Sequence, residues 1–208
     1  MTPVRRPACR PLVGLLLLAA LAGGCANDKP PSTLLTLPPA TLRTPPATAP
    51  GQALALAVRR VAVPEYLLTR RVRYRADSST LAEWPQTYWA ERFEVGVTRE
   101  FIAALRQALP GWTICEGSCT DRVADLSLNV DLAPLDYQRA QRLLTADARI
   151  TLASPSLQPR TQPLVERRLE VHSQTDTPQG QAQALIEVLQ TLAVDTATGL
   201  RKLNPNRR

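Results

Sequence analysis

Leu126-Ser127-Leu128-Asn129-Val130-Asp131-Leu132 sets leucine or valine at every second position, with a polar residue between each pair. In an extended chain successive side chains point to opposite faces, so this stretch predicts a strand with one dry and one wet face. Ala146, Ala148, Ile150 and Leu152 repeat the pattern against Asp147, Arg149 and Thr151, and Val165, Leu169 and Val171 repeat it against Glu166, Arg168 and Glu170. Three such strands in succession, joined by short polar and proline-bearing segments, predict an antiparallel meander.

The elements on either side complete a core for that sheet. Leu54, Leu56 and Val58 alternate with Ala55 and Ala57, and Val61 and Val63 follow before Pro64, which predicts a first strand. Val72 and Tyr74 alternate with arginines over residues 71–75, Asp77-Ser78-Ser79 reads as a turn, and residues 80–84 read as the returning strand. Phe93, Val97, Phe101, Leu105 and Leu109 recur every four residues, the period of one helix face, within a helix predicted over 90–109 and ended by Pro110-Gly111. Gly96 costs that helix about 1 kcal/mol relative to alanine, and nothing in the sequence accounts for it. Thr177-Pro178 opens a second helix whose stripe is Leu185, Leu189, Leu192, Ala193 and Leu200. The fold class predicted is α+β: a mixed, largely antiparallel sheet of about five or six strands covered by two main amphipathic helices.

Ahead of this domain the chain carries a targeting signal. Residues 12–22 are an apolar run preceded by Arg5, Arg6 and Arg10, too short for a bilayer that takes about 20 residues of helix. They read as the core of a signal peptide. Leu21-Ala22-Gly23-Gly24-Cys25 then looks like a bacterial lipobox, with Ala22 where a leucine is usual. The expectation is cleavage before Cys25 and acylation there by a diacylglycerol and an N-acyl chain. Buried acyl carbons contribute about 0.8 kcal/mol each, so two or more chains anchor stably where one does not. Ala26, in place of aspartate, resembles the sorting pattern for the outer membrane. The organisation expected is a signal peptide over 1–24, a lipidated start and proline-rich tether over 25–52, one domain over 53–203, and a tail over 204–208. Seven prolines between 30 and 50 favour an extended tether, of about 70 Å if wholly polyproline-like. Residues 33–37 could add a short edge strand to the sheet.

Loss of 24 of the 208 residues removes three of the 25 Lys and Arg and none of the 18 acids, leaving a net charge of about +4. That excess on an exported protein points to lipid head groups and away from nucleic acid. The arginine clusters at 59–60, 70–75, 167–168 and 207–208 read as solvated faces or strand edges, with a lipid or partner patch as the alternative. Cys9 leaves with the signal and Cys25 carries the anchor, so Cys115 and Cys119 remain. The periplasm favours their pairing across Glu116-Gly117-Ser118, a loop short enough that closure contributes only about 2 kcal/mol. A free thiol pair is the alternative. The spacing is not that of a redox C-x-x-C, and no second ligand pair supports a metal.

Catalytic patterns are missing. The single histidine, His172, lies on the polar side of a predicted strand beside Glu170 and Ser173, and no nucleophile elbow, phosphate loop, dinucleotide fingerprint or zinc helix is present. The chain reads as a non-enzyme without metal or cofactor beyond its acyl chains. Tyr66, Tyr74, Trp84, Tyr88 and Trp89 are five of the nine aromatic residues and fall within 24 positions. Such a cluster is either an interface, where aromatics bury area at small entropic cost, or a small core.

Val63-Pro64-Glu65-Tyr66-Leu67 after the first strand and Trp89-Ala90-Glu91-Arg92-Phe93 opening the helix, set behind a lipobox and a proline-rich tether, resemble the ABC-type transport auxiliary lipoprotein family, which includes paraquat-inducible protein C. The resemblance covers the whole order of the chain. Two departures stand out: Thr33-Leu34-Leu35-Thr36-Leu37 replaces an aromatic Y-x-L strand, and Leu68-Thr69-Arg70 replaces an Asp-Arg-Pro. The family implies a lipoprotein on the periplasmic face of the outer membrane, an accessory of an MCE-type assembly that moves lipids between membranes, with an MCE-type periplasmic protein as partner and a homo-oligomeric ring as one arrangement. It offers no catalytic residues. Tyr66, Trp84, Tyr88, Trp89 and Arg92 are the expected docking residues. A stand-alone periplasmic lipid chaperone is the competing reading and requires an apolar cavity of several hundred Å³ (roughly,).

Overall fold

The computed structural model describes residues 31–42, 54–154 and 160–203. Their order is β1 (Thr33–Leu35), β2 (Ala55–Val58), β3 (Arg71–Arg75), β4 (Leu81–Trp89), α1 (Phe93–Ala108), β5 (Thr113–Glu116), β6 (Leu126–Gln138), β7 (Leu143–Ser154), β8 (Arg160–His172) and α2 (Pro178–Leu203). The signal segment, Cys25 and the tail lie outside the described residues. The folded unit begins at Ser32.

The strands form one sheet of eight around β6. One edge of β6 pairs antiparallel with β7 from Ser127↔Ala153 to Gln138↔Leu143, and β7 pairs antiparallel with β8 from Leu143↔His172 to Ser154↔Arg160. The other edge is shared: β2 lies parallel to its first residues, Ala62 bridges to Asp131, and Arg75 of β3 pairs with Gln138. β5 extends the sheet beyond β2, while β4 and then β1 extend it beyond β3. The meander therefore has the predicted alternation, and its ladders are the long antiparallel ones. Eight strands stand where five or six are expected: β1 takes the edge position that residues 33–37 offer, and β5, four residues long, shows no period in sequence. β4 also runs on to Trp89, through an irregularity where Gln86 takes φ of 48°.

Both helices cover one face. Phe101, Leu105, Leu109, Leu189, Leu192 and Leu200 are buried with Leu128, Leu132 and Ile150 in a single core, whereas Asp131, Arg149, Glu166 and Arg168 are exposed on the opposite, bare face. Thr177 opens α2 as predicted: its Oγ1 accepts the Gly180 amide hydrogen, and Pro178 fills the first turn, where no amide is needed. Arg201 near the end of α2 donates to the carbonyl of Ala108 at the end of α1, so α2 helps to satisfy the open carbonyls of α1. The buried Thr98 hydroxyl ties α1 to the sheet by accepting from the Val61 amide at 3.0 Å.

The expectation over 25–52 is an extended, solvated tether with a short edge strand offered at 33–37, and the proline-rich residues beyond that strand depart from it. Residues 33–42 pack onto the domain. β1 lies parallel to β4, Leu35, Leu37, Ala40 and Leu42 are buried, and residues 40–42 cross both helices as a strap. Prolines leave few amides to satisfy, and side chains meet the remaining groups. Glu100 accepts from Ala40 N–H at 2.8 Å, Gln107 accepts from Leu42 N–H at 2.9 Å and donates to the Ala40 carbonyl at 2.6 Å, and Gln190 donates to the Thr41 carbonyl at 2.8 Å. At Gly96 a Cβ would stand 3.2 Å from a Glu91 carboxylate oxygen, which would have to give way, and 3.5 Å from Leu37, an ordinary packing distance, so the crowding there comes from Glu91.

Candidate docking surface

On β3, Val72 and Tyr74 turn toward the helices, which leaves Arg71, Arg73 and Arg75 in a row on the bare face. Three like charges on one strand face repel, and each is answered by a neighbour. Glu83 of β4 lies 3.2 Å from both Arg71 and Arg73. Asp136 of β6 accepts from Arg75 Nε at 2.8 Å. Two tyrosine rings lie beneath the guanidiniums, Tyr88 under Arg71 at 5.0 Å and Tyr66 under Arg75 at 5.1 Å. A 3-10 turn over Glu65–Leu67 brings Tyr66 into place. Its hydroxyl donates to Asp136 at 2.9 Å, and its carbonyl accepts from Arg73 at 3.0 Å. Burial, followed by the Asp136 carboxylate, raises the Tyr66 phenol above its ordinary range, and the hydrogen bond that Arg75 donates to Asp136 raises Arg75. The Val63–Leu67 motif is thus knitted to β3 and β6 by polar contacts.

A second arginine closes the end of the core. Arg139, in the 3-10 turn between β6 and β7, lies 4.1 Å from the Trp84 ring and 5.1 Å from that of Tyr74, donates to the Tyr74 hydroxyl at 3.1 Å, and is held by Asp176 at 2.9 Å. Hydrogen bonding to Asp176 keeps this guanidinium firmly protonated. Trp84 Nε1 donates to Gln181 Oε1 at 2.7 Å, and Gln181 Nε2 donates to the Arg73 carbonyl at 2.7 Å. Open polar grooves of about 400 Å³ and 430 Å³ flank Ala140, the first lined by Arg139, Arg142 and Asp176, the second by Arg75, Asp136 and Gln138. The apolar hollow between β3, β6 and α2 has only about 20 Å³ of free space, and the buried Tyr137 hydroxyl, which has no protein partner, lines it.

The five expected docking residues are not brought together. Trp84 and Trp89 are core residues at 4% and 5% exposure, the first hydrogen-bonded to Gln181 and the second stacked on Phe93 with centroids 5.0 Å apart. The expectation that they form a contact surface is corrected by β4: Trp84 and Trp89, five positions apart, both turn toward the helices because the irregularity at Gln86 shifts the alternation by one residue. Tyr66 and Tyr88 are half-buried beneath arginines on the bare face, and Arg92 is exposed at the start of α1, paired with Glu94. Sequence reasoning singled out neither Asp136 nor Asp176, which lie 61 and 37 positions from the arginines they hold; no local pattern marks contacts so distant. Cys115 and Cys119 are disulfide-bonded with Cα atoms 5.2 Å apart, and Gly117 between them takes φ of 68°. His172 is exposed on β8. Among the described residues no three His, Cys, Asp or Glu side chains are grouped as metal ligands.

The model of the ABC-type transport auxiliary lipoprotein component matches residues 35–197. The chain belongs to that family. The match starts inside β1, so the docked stretch from Leu35 to the strap lies within the family's domain. Family members are transport auxiliary components. No curated protein matches the chain. Among the solved structures similar to it are two that cover most of this chain. One, an uncharacterized protein, is 19% identical with a TM-score of 0.65 and covers 82% of this chain and 99% of its own. The other, protein XCC0632 from Xanthomonas campestris of the DUF330 family, is 17% identical with a TM-score of 0.63 and covers 83% of this chain and 99% of its own. At these identities the likeness establishes the fold.

Proposed function

We propose that this lipoprotein is anchored by acylated Cys25 to the periplasmic face of the outer membrane and acts as the accessory component of an MCE-type system that moves lipids between the two membranes. The family match over 35–197, downstream of a lipobox cysteine, carries this reading. The packed interior supports it further. Lipid cargo needs a cavity of several hundred Å³ (roughly,), and the apolar hollow has about 20 Å³, so among the described residues the domain offers surfaces where a stand-alone lipid chaperone would need a pocket. An MCE-type periplasmic protein docks in this reading at the polar grooves beside Arg75 and Arg139, with Tyr66 at their border. A ring of identical subunits would supply a conduit that one small packed domain lacks.

Cys25→Ala is expected to move the protein from the outer-membrane fraction to the soluble fraction, and Arg139→Glu to abolish co-purification with the MCE-type partner while the protein stays on the membrane. Unchanged co-purification by Arg139→Glu and by Tyr66→Ala would remove the docking site. Unchanged fractionation of Cys25→Ala would remove the anchor.

A further inference from the structure

Eight peptide steps separate Cys25 from Thr33, the first residue of β1. Fully extended, they reach at most about 28 Å at roughly 3.5 Å per residue. β6 alone, with 13 residues, spans about 43 Å. So short a leash keeps β1 within about 28 Å of the surface that holds the anchor, less than the length of β6, and the leash cannot lengthen cheaply. Pulling β1 away breaks the Ala90–Leu35 backbone hydrogen bond and exposes Leu35 and Leu37. Pulling further strips the strap from Glu100, Gln107 and Gln190.

The surface beside that attachment suits lipid. Leu34, Tyr88 and Arg71 are direct neighbours in register across β1, β4 and β3, on the face the helices leave bare. Leu34 is 62% exposed, and Leu68, which leaves the turn packed on that same face, is 48% exposed. These are two of the five large apolar side chains exposed among the described residues, and Leu34 is the one that adjoins the leash. Arg70 is exposed and makes no ion pair among the described residues. Leucine for the acyl boundary, tyrosine for the head-group level and arginine for phosphate are the chemistry of a membrane-contact face.

We propose that the end of the bare face formed by Leu34, Tyr88 and Arg71 lies directly on the phospholipid surface that holds Cys25, with Leu34 inserted, Tyr88 at the head-group level and the exposed Arg70 beside them available to lipid phosphate. The inference rests on the acylated Cys25 of the proposed function. The strap then acts as the clasp that keeps the domain at this distance.

The test uses the full lipidated protein bearing Leu34→Trp, reconstituted on phosphatidylethanolamine–phosphatidylglycerol vesicles with or without brominated acyl chains. Val194→Trp, on the exposed side of α2, is the counterpart. The emission added by Leu34→Trp is expected to be quenched by brominated lipid, and that added by Val194→Trp to be unaffected. Arg70→Gln is expected to weaken vesicle contact by about fivefold, seen as shallower quenching of the Leu34→Trp reporter. Protein that floats with the vesicles while Leu34→Trp stays unquenched, or while both reporters are quenched alike, overturns this orientation and leaves the anchor standing. Protein that fails to float, or a Cys25→Ala variant that floats equally well, overturns the anchor and this inference with it. An unchanged melting temperature for Leu34→Trp excludes misfolding as the cause of either result.

Discussion

Trp84 and Trp89 sit on the same strand as Glu83 and Tyr88, yet the two sets belong to different worlds. The tryptophans face the helices, where Trp89 packs on Phe93 and Trp84 finds in Gln181 a buried partner for its one donor. Glu83 and Tyr88 face outward, where each is shared with arginines and half in water. The inner face is held by apolar area and tight packing, the outer by charge contacts that solvent screens. The comparison teaches that clustering along the chain does not make a patch in space: strand alternation, shifted by one residue at Gln86, splits a run of aromatics into core and surface before any partner can meet it.

Truncation should separate the two faces most sharply. Trp89→Ala leaves a cavity in the core and is expected to cost about 3–5 kcal/mol, whereas Tyr88→Ala, one residue away, should stay within about 0.5 kcal/mol. Urea denaturation of the two variants gives the comparison, and equal losses would place Tyr88 in the core. Gly180→Ala tests how tightly α2 meets the loop after β8. A Cβ there would lie 2.4 Å from Ser173 Oγ and 2.5 Å from the Thr175 carbonyl oxygen, and since one obstacle is backbone, a loss of about 1–3 kcal/mol is expected.

The strap is the inner face's weakest part, because polar side chains do much of the holding there. Gln107→Ala removes both the acceptor of Leu42 N–H and the donor to the Ala40 carbonyl, with an expected loss of about 1–2 kcal/mol. Faster hydrogen exchange confined to residues 40–42 would locate the effect, and uniform acceleration across β6 and β7 would mean that the strap is part of the global folding unit.

Legibility followed the same division. The meander, both helices and the end of α1 could be read because each carries a period several turns or residue pairs long, from Leu126 to Val171 and from Phe93 to Leu109. The edge strand β1 was offered by residues 33–37, β5 was hidden by its length, and the strap by its prolines, which look like a linker until Glu100, Gln107 and Gln190 are seen to supply its missing partners. The candidate surface was the least legible part. Arg75 and Asp136, or Arg139 and Asp176, meet only because strands far apart in sequence are neighbours in the sheet, and no periodicity encodes such a meeting. Tyr66 was found through its motif, but its partner was not.

Smaller effects belong to the outer face. Tyr66→Phe deletes a part-buried hydrogen bond to Asp136 and should cost about 0.5–1 kcal/mol. Because the folded phenol is raised above its ordinary value, that contribution is complete below about pH 10 and fades as pH rises through the folded value, so the alkaline limb of stability should differ between parent and variant while the acid limbs coincide.

The least change is expected at the Asp147–Arg168 pair, which joins β7 to β8 on the bare face at 2.6 Å. The guanidinium hydrogen bonds hold the Asp147 carboxyl below its ordinary range. Folding therefore favours the ionised form: the contribution is present above the unfolded carboxylate value of about 3.9 and is lost as pH falls through the lower, folded value. Asp147→Asn removes the titration and keeps the shape. Thermal melts in acid should show the parent losing stability more steeply than the variant below about pH 4, with little to separate them at neutral pH, where an exposed pair contributes weakly. Parallel acid limbs would mean that water already screens this pair fully, and the contrast between a packed face and a charged one would then hold even for the shortest ion contacts on the outer side.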